Sequence, residues 1–395
     1  MTGSLRGWSP THEQVIEVEW SHGVVSHIEG IGTARGAPEP PEGEQVLAPG
    51  LVDLQVNGYD GHDVNSEDVS ADTVVAITEA LADVGVTTWV PTIVTAPEEF
   101  IHHALEQVCA AMTSDERVGR AVPMVHVEGP FISGQEGARG IHDLAHVRPI
   151  DADEVGRWVT RHPVVGLVTV SPHDDTAPEH IRRIRDLGVA VSLGHTHATT
   201  DQLRAAVDAG ATQATHLGNG IASLLARHPN PIWTLLADDR VTAGLIADGH
   251  HLPAEVITVM LRAKSAARSH LVSDSTALAG RPPGTYRTPV GGEVEVGADG
   301  RLSFVGTDLL AGAGRNLADG LHHILGAVAV SWADAIQLVA GTPGRLVSHR
   351  RAGSGQISVR APADLLLLEP AGEPAGERCG AVTTIVASGH VRSQP

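Results

Sequence analysis

The chain has 395 residues, 42% of them apolar and 19% charged, with no low-complexity block, the composition of a folded globular protein larger than one average domain. A formal net charge of −20 repels nucleic acid and anionic membrane, and no stretch approaches the roughly eighteen apolar residues of a membrane span. Met1 to Pro10 lacks the basic start and apolar core of a signal peptide, and two cysteines, Cys109 and Cys379, make no disulfide framework, so a cytoplasmic location is expected.

In chain order, Val15 to Trp20 and Val24 to Glu29 alternate apolar and polar residues around Ser21-His22-Gly23, the pattern of a β-hairpin. Gly36 to Glu44, rich in Pro, Gly and Glu, reads as a loop. Short buried-strand runs then alternate with helical stretches, as a parallel sheet with crossover helices requires. Strands are predicted to end near Val56, Ile93, Val127, Val170, Leu193, Leu217, Ile246 and Val272. Helices are predicted over Ala71 to Val84, Glu98 to Met112, Ala152 to Thr160, Glu179 to Leu187, Thr200 to Ala209, Ala254 to Ala267 and Leu317 to Val328. Eight such units suit a closed (β/α)8 barrel. A doubly wound open sheet is the competitor, but Gly58-Tyr59-Asp60-Gly61 after the first strand is no G-x-G-x-x-G phosphate loop.

At the far end, Gln356 to Val359, Asp364 to Leu368 and Val382 to Ala387 read as short strands. Neither terminus has enough apolar residues for a core of its own. The expected fold is therefore α/β: a TIM barrel over 49–347, with a small β-sandwich domain formed jointly by 1–48 and 348–395. Two independent terminal decorations are the alternative.

In such barrels the active site lies at the C-terminal ends of the strands. Those positions carry Gln55-Val56-Asn57, His126-Val127-Glu128, Gly194-His195-Thr196-His197, Thr215-His216, Asp248-Gly249-His250-His251 and Ser273-Asp274. One such histidine would read as a packing residue. Nearly every strand delivering a ligand or acid/base group to the same end reads as a site. Imidazole and carboxylate suit a borderline Lewis acid such as zinc. Glu128, His195 and His216 make a three-ligand set with a fourth position open, the arrangement of a catalytic metal. Asp274 is the candidate general base. His197 and His250 each neighbour a better-placed histidine and are expected to support a ligand or face solvent.

Along its whole length the chain resembles the N-acetylglucosamine-6-phosphate deacetylase family of the amidohydrolase superfamily. The carrying motifs are Pro49-Gly50-Leu51-Val52-Asp53, His126 to Phe131 (H-x-E-G-P-F), Gly194 to Ala198 (G-H-[ST]-x-A) and Ala247 to His251 (A-D-G-x-H). Ser273 to Gly280, Leu310-Ala311-Gly312, and Gly355 to Leu365 complete the set, with Arg360 where the family usually has Gly. The resemblance implies one divalent metal on Glu128, His195 and His216, zinc by preference with iron, cobalt or manganese as alternatives, and Asp274 as acid and base. Much of the superfamily supports a second metal with H-x-H at the end of strand one. Gln55 and Asn57 stand there as a vestige, and neutral amides are poor zinc ligands.

The resemblance also implies a small amino-sugar phosphate as substrate and a homodimer, with neither nucleic acid nor membrane as partner. Ile141, His142 and His251 are expected at the sugar, Leu310, Ala311 and Gly312 around the acetyl region, and Asn219, Gly220 and Arg227 at the phosphate. The implied reaction is hydrolysis of the acetamide of N-acetylglucosamine 6-phosphate. Three departures flank the substrate: Gly218 for an aromatic, Arg227-His228-Pro229-Asn230 for R-E-P-G, and Ser171-Pro172-His173 for A-P-E. They keep open a related amidohydrolase acting on another N-acyl sugar, an N-acyl amino acid or a cyclic amide. A catalytically silent sugar-binding protein is the reading from a different class.

Overall fold

The computed structural model describes residues 1–31, 36, 38–288, 292–370 and 381–393; Cys379, and Ala37 within the Gly36 to Glu44 loop, lie outside them. Eight parallel strands form the central sheet: Leu51–Val56, Val86–Val94, Val125–Glu128, Val165–Val170, Ala190–Leu193, Gln213–Ala214, Thr242–Ile246 and Ser269–Val272. Sequence neighbours are sheet neighbours throughout. Strand eight returns to strand one, where Asp274 N donates to Gln55 O at 2.9 Å and Asn57 N to Ser275 O at 2.9 Å. This is the TIM barrel expected from the alternation.

The strands are buried on both faces, which is why they read as continuous apolar runs. Val52, Leu54, Val90, Met124, Leu167, Ile246 and Val272 fill the interior as one cluster. A larger cluster, with Ile77, Trp89, Leu105 and Trp158, joins the strands to the helices around them. Capping boxes open some of the helices: Ser70 and Thr73 bond reciprocally at the start of Ala71–Ala82, and Asn316 and Asp319 at the start of Leu317–Ala327. The helix expected to reach Ala267 stops at Lys264, because Ser265 turns to φ +63°.

Two strand expectations are corrected. The sixth strand pairs only over Gln213–Ala214 and does not reach Leu217. The backbone leaves the ladder at His216 (φ +27°), and Leu217 N rejoins strand seven at Gly244 O. Gln356 to Val359 is not a strand. Gly355 at φ +68° and Arg360 at φ +75° turn the chain on either side of it, and Ala361 N bonds back to Ser358 O. The positive φ also accounts for glycine as the family's usual residue at position 360.

The termini share one seven-stranded sheet. Its order is His390–Ser393, Val382–Ala387, Leu365–Leu368, Val46–Pro49, Thr2–Ser9, Gln14–Ser21 and Val24–Gly30. The sheet folds over so that its two ends meet: Trp20 Nε1 donates to Gly389 O at 3.0 Å, and Val24 bridges to Pro362. Ile16, Val18, Trp20 and Val25 from one end pack with Leu365, Leu367 and Val386 from the other. The two ends of the chain thus build one core, not two decorations. A three-stranded antiparallel sheet follows barrel strand eight, formed by Gly284–Thr288, Gly292–Val296 and Leu302–Phe304. It was not foreseen, and it bears on the site.

Candidate active site

A cavity of about 890 Å³ opens at the C-terminal ends of the barrel strands, and Glu128, His195, His216 and Asp274 all line it. Glu128 ends its strand in extended backbone. The other three adopt left-handed backbone, His195 at φ +46°, His216 at φ +27° and Asp274 at φ +51°. Non-glycine residues seldom occupy this region, and strain of that kind gathers at functional sites whose surroundings hold it. Here it lets three side chains leave the alternation of their strands and enter one space.

Glu128, His195 and His216 converge closely. His216 Nε2 lies 3.0 Å from Glu128 Oε1, His195 Nε2 3.2 Å from the same oxygen, and the two imidazole nitrogens 3.1 Å apart. A tetrahedral ion with bonds of about 2.0–2.1 Å sets its ligand atoms roughly 3.3–3.4 Å apart, so the triad has the size of a divalent-ion site. His195 Nδ1 bonds Ala138 O at 2.9 Å, which makes Nδ1 the protonated nitrogen and leaves the Nε2 lone pair for the ion. Glu128, His142 and His195 also offer ligand atoms within 4.8 Å of one another. The set with His216 is the tighter and the one we take as the metal triad. His142 stands beside it, its Nδ1 bonded to Thr95 Oγ1 at 2.8 Å and its ring 4.4 Å from that of His195.

The electrostatics follow from burial against pairing. Burial would push the Glu128 carboxyl up, but hydrogen bonds and charge from His195 and His216 outweigh it and hold it well below the usual range. Burial would lower His216, yet Glu128 raises it to about 9. A divalent cation would take the place of that His216 proton beside the ionised carboxylate. Asp274 is raised to about 6, by burial first and then by the negative charge of Glu128. Burial takes His142 down to about 3, so it stands neutral in the cavity.

Other predicted residues fall in the same cavity. Ile141, His142, Asn219, Gly220, His251, Leu310, Ala311 and Gly312 line it, as does Asn57. Gln55 lies beneath, bonded to both Glu128 and Asp274. His251 is oriented by Asp248, whose Oδ2 accepts from Nδ1 at 2.7 Å. His197 bonds Ser133 Oγ through Nδ1 and His250 bonds Asp299 O through Nε2; neither lines the cavity. Arg227 is exposed and outside the cavity, and His228, Pro229 and Asn230 after it line a separate groove of about 530 Å³.

The sequence reading missed Thr95, which holds His142, and Arg281 and Arg287, which reach the cavity from the start of the three-stranded sheet. The alternation in Gly284 to Thr288 and Gly292 to Val296 was the available signal for Arg287; Arg281 lies ahead of both segments. Nothing in the sequence around Thr95 announces its contact.

The model of the amidohydrolase family matches residues 46–392. An N-acetylglucosamine-6-phosphate deacetylase from Bos taurus is 34% identical over 336 residues, covering 82% of this chain and 80% of its own. An N-acetylgalactosamine-6-phosphate deacetylase from Escherichia coli O157:H7 is 32% identical over 86% of each chain. Among solved structures, an N-acetyl-D-glucosamine-6-phosphate deacetylase from Mycobacterium smegmatis, in complex with N-acetyl-D-glucosamine-6-phosphate, superposes with a TM-score of 0.84 at 25% identity, covering 99% of both chains.

Proposed function

This chain belongs to the N-acetylglucosamine-6-phosphate deacetylases of the amidohydrolase family, and on that premise we propose that it hydrolyses the acetamide of N-acetylglucosamine 6-phosphate to acetate and glucosamine 6-phosphate. The observation that carries the reading is the convergence of Glu128, His195, His216 and Asp274 in one cavity with Asn219, Gly220 and His251. Glu128, His195 and His216 would hold one divalent ion, zinc by preference. When bound, such an ion polarises the amide carbonyl and lowers the pKa of the attacking water to about 7.

The remaining work belongs to the side chains. Asp274 accepts the proton of the attacking water and returns it to the departing amine nitrogen, so the carboxylate is regenerated each cycle. His142, neutral and fixed by Thr95, presents its other nitrogen beside the triad as a hydrogen-bond partner for the acyl group. His251, held by Asp248, meets the sugar. The backbone at Leu310, Ala311 and Gly312 closes the acetyl region. Gly220 offers its backbone N–H to the phosphate, next to Asn219, whose own backbone N–H is bonded to His216 O at 2.9 Å and shapes the turn.

Arg227 does not reach the cavity of its own chain. A homodimer in which it enters the partner's cavity would give the phosphate its cation, and the bidentate guanidinium suits that anion. No helix among the described residues is long and apolar enough to cross a membrane, and a cytoplasmic location is part of this proposal.

The test is steady-state deacetylation by zinc-loaded protein of N-acetylglucosamine 6-phosphate, N-acetylgalactosamine 6-phosphate and unphosphorylated N-acetylglucosamine. Preference for the first by tenfold or more, about 1.4 kcal/mol of transition-state discrimination, supports the reading. Preference for the galacto epimer moves the substrate to the other sugar, with the relative from E. coli O157:H7 as precedent. Equal turnover with and without phosphate favours the second reading, an amidohydrolase of another N-acyl substrate. The altered loop from Gly218 to Asn230 is the feature that motivates it.

A further inference from the structure

Two side-chain amides converge on one oxygen of Asp274. Gln55 Nε2 donates to Asp274 Oδ1 at 3.0 Å, and Asn57 Nδ2 donates to the same oxygen at 2.8 Å. Gln55 Nε2 also donates to Glu128 Oε1 at 3.0 Å, so one buried amide ties the base to a metal-triad carboxylate. No described residue supplies a hydrogen bond to Asp274 Oδ2. Asn57 Oδ1 is buried without a partner. Turning that amide over would set its oxygen against the carboxylate, so the unsatisfied acceptor accompanies an orientation that Asp274 itself dictates. The backbone holds the same geometry: Asp274 N donates to Gln55 O at 2.9 Å where the barrel closes.

We propose that Gln55 and Asn57 are positioning residues that grip Asp274 by Oδ1 and thereby assign Oδ2 as the oxygen that takes and returns the proton. Gln55 additionally spaces the Asp274 and Glu128 carboxylates by donating to both, so that the two anions are held together by N–H groups. The proposal rests on the reading of Asp274 as the base and Glu128 as a ligand. It adds that the base is one oxygen, selected by hydrogen bonding before substrate arrives. A carboxylate with both oxygens free would rotate about its Cβ–Cγ bond, and its better-aimed oxygen would be available for only part of the time.

Three variants of the full-length, zinc-loaded protein test this. Gln55→Met keeps the bulk and removes both donors. It is expected to retain one equivalent of zinc by elemental analysis and a KM within about threefold, while kcat falls roughly 30- to 100-fold, within the range of a general base's contribution. Asn57→Leu leaves the Glu128 contact in place and should lower kcat by a smaller factor, about five- to tenfold, again without loss of zinc. Gln55→Glu turns the shared donor into an acceptor and places three carboxylates together. It should raise the zinc content from one to two equivalents, an effect that a residue serving packing alone would not produce.

If Gln55→Met proves insoluble, the Asn57→Leu kinetics and the Gln55→Glu zinc content decide. Unchanged kcat in the amide variants, or a fall in kcat matched by loss of zinc, overturns the proposal, as does a single equivalent in Gln55→Glu. Failure of the wild-type protein on every acetylated sugar would instead count against the functional reading. The zinc content of Gln55→Glu would still decide whether Gln55 separates the two carboxylates by donation.

Discussion

The floor of the cavity and its rim are made differently. On the floor, Glu128, His195, His216 and Asp274 stand at or just beyond strand ends, and each is bonded by a neighbour from another strand or loop. Along the rim, Arg227 faces solvent, Arg281 arrives from the turn before the three-stranded sheet and Arg287 from its first strand, and His228 to Asn230 turn away into a groove of their own. Ladder hydrogen bonds set the registers of adjacent strands and thereby place the floor. Loops have no such constraint, and the three departures from the family pattern all lie in them. In this barrel the groups assigned to the chemistry stand at strand ends, and the departures from the family pattern lie in the loops beyond them, the segments in which such barrels vary most.

Each half of that contrast can be broken separately. Removing the metal site has the largest expected effect. Glu128→Gln replaces the anion shared by both histidines and should abolish stable metal binding, with turnover falling to background; zinc content and kcat measured together check this. Asp274→Asn should leave the metal in place yet lower kcat by about a thousandfold, within the range for loss of a general base. Unchanged turnover would put the base elsewhere. On the rim, Arg227→Ala should raise KM for the phosphorylated substrate by about tenfold, roughly 1.4 kcal/mol of binding, while leaving the unphosphorylated sugar alone. Mixing Arg227→Ala with Asp274→Asn sharpens this. If Arg227 serves the partner's cavity, the mixed dimer has one site with both residues intact, and activity at low substrate should return. No recovery would place Arg227 outside the phosphate site or keep the chain a monomer.

The smallest expected effect lies where floor and rim touch. Gly220 sits at φ +56°, and a Cβ there would lie 2.8 Å from His195 Nδ1. Gly220→Ala should push the imidazole off its bond to Ala138 O and weaken metal affinity by about tenfold, the lower end of what losing such support costs. Competition with a chelator measures it. In the sequence Gly220 is read only as part of the expected phosphate site; its close approach to His195 follows from how the loop folds back over strand five.

Much of the fold was legible because its causes are local. Ser70 and Asn316 announce helix starts, and runs such as Val165 to Val170 announce strands buried on both faces. What escaped depended on distant partners or on backbone turns that residue type alone does not announce. Thr2 to Ser9 has exposed and half-buried residues at its start and becomes a strand by pairing with Gln14 to Ser21. Gln356 to Val359 reads as a strand, but the turns at Gly355 and Arg360 remove it from any ladder.

By itself, the sequence determined that four of the eight strand ends carry Glu, His, His and Asp at positions a barrel brings to one face. Periodicity and the barrel's rule for active sites suffice for that, because both act along the chain. Only the tertiary structure decided which atoms meet. Gln55 and Asn57 lie 219 and 217 residues from Asp274, and nothing in Gln55-Val56-Asn57 tells where its amides point. Barrel closure sets strand one against strand eight, and the left-handed turns at His195, His216 and Asp274 aim their side chains inward. A hydrogen bond or a metal site requires positions good to a few tenths of an ångström. That accuracy comes from the packed barrel as a whole, not from any segment of it.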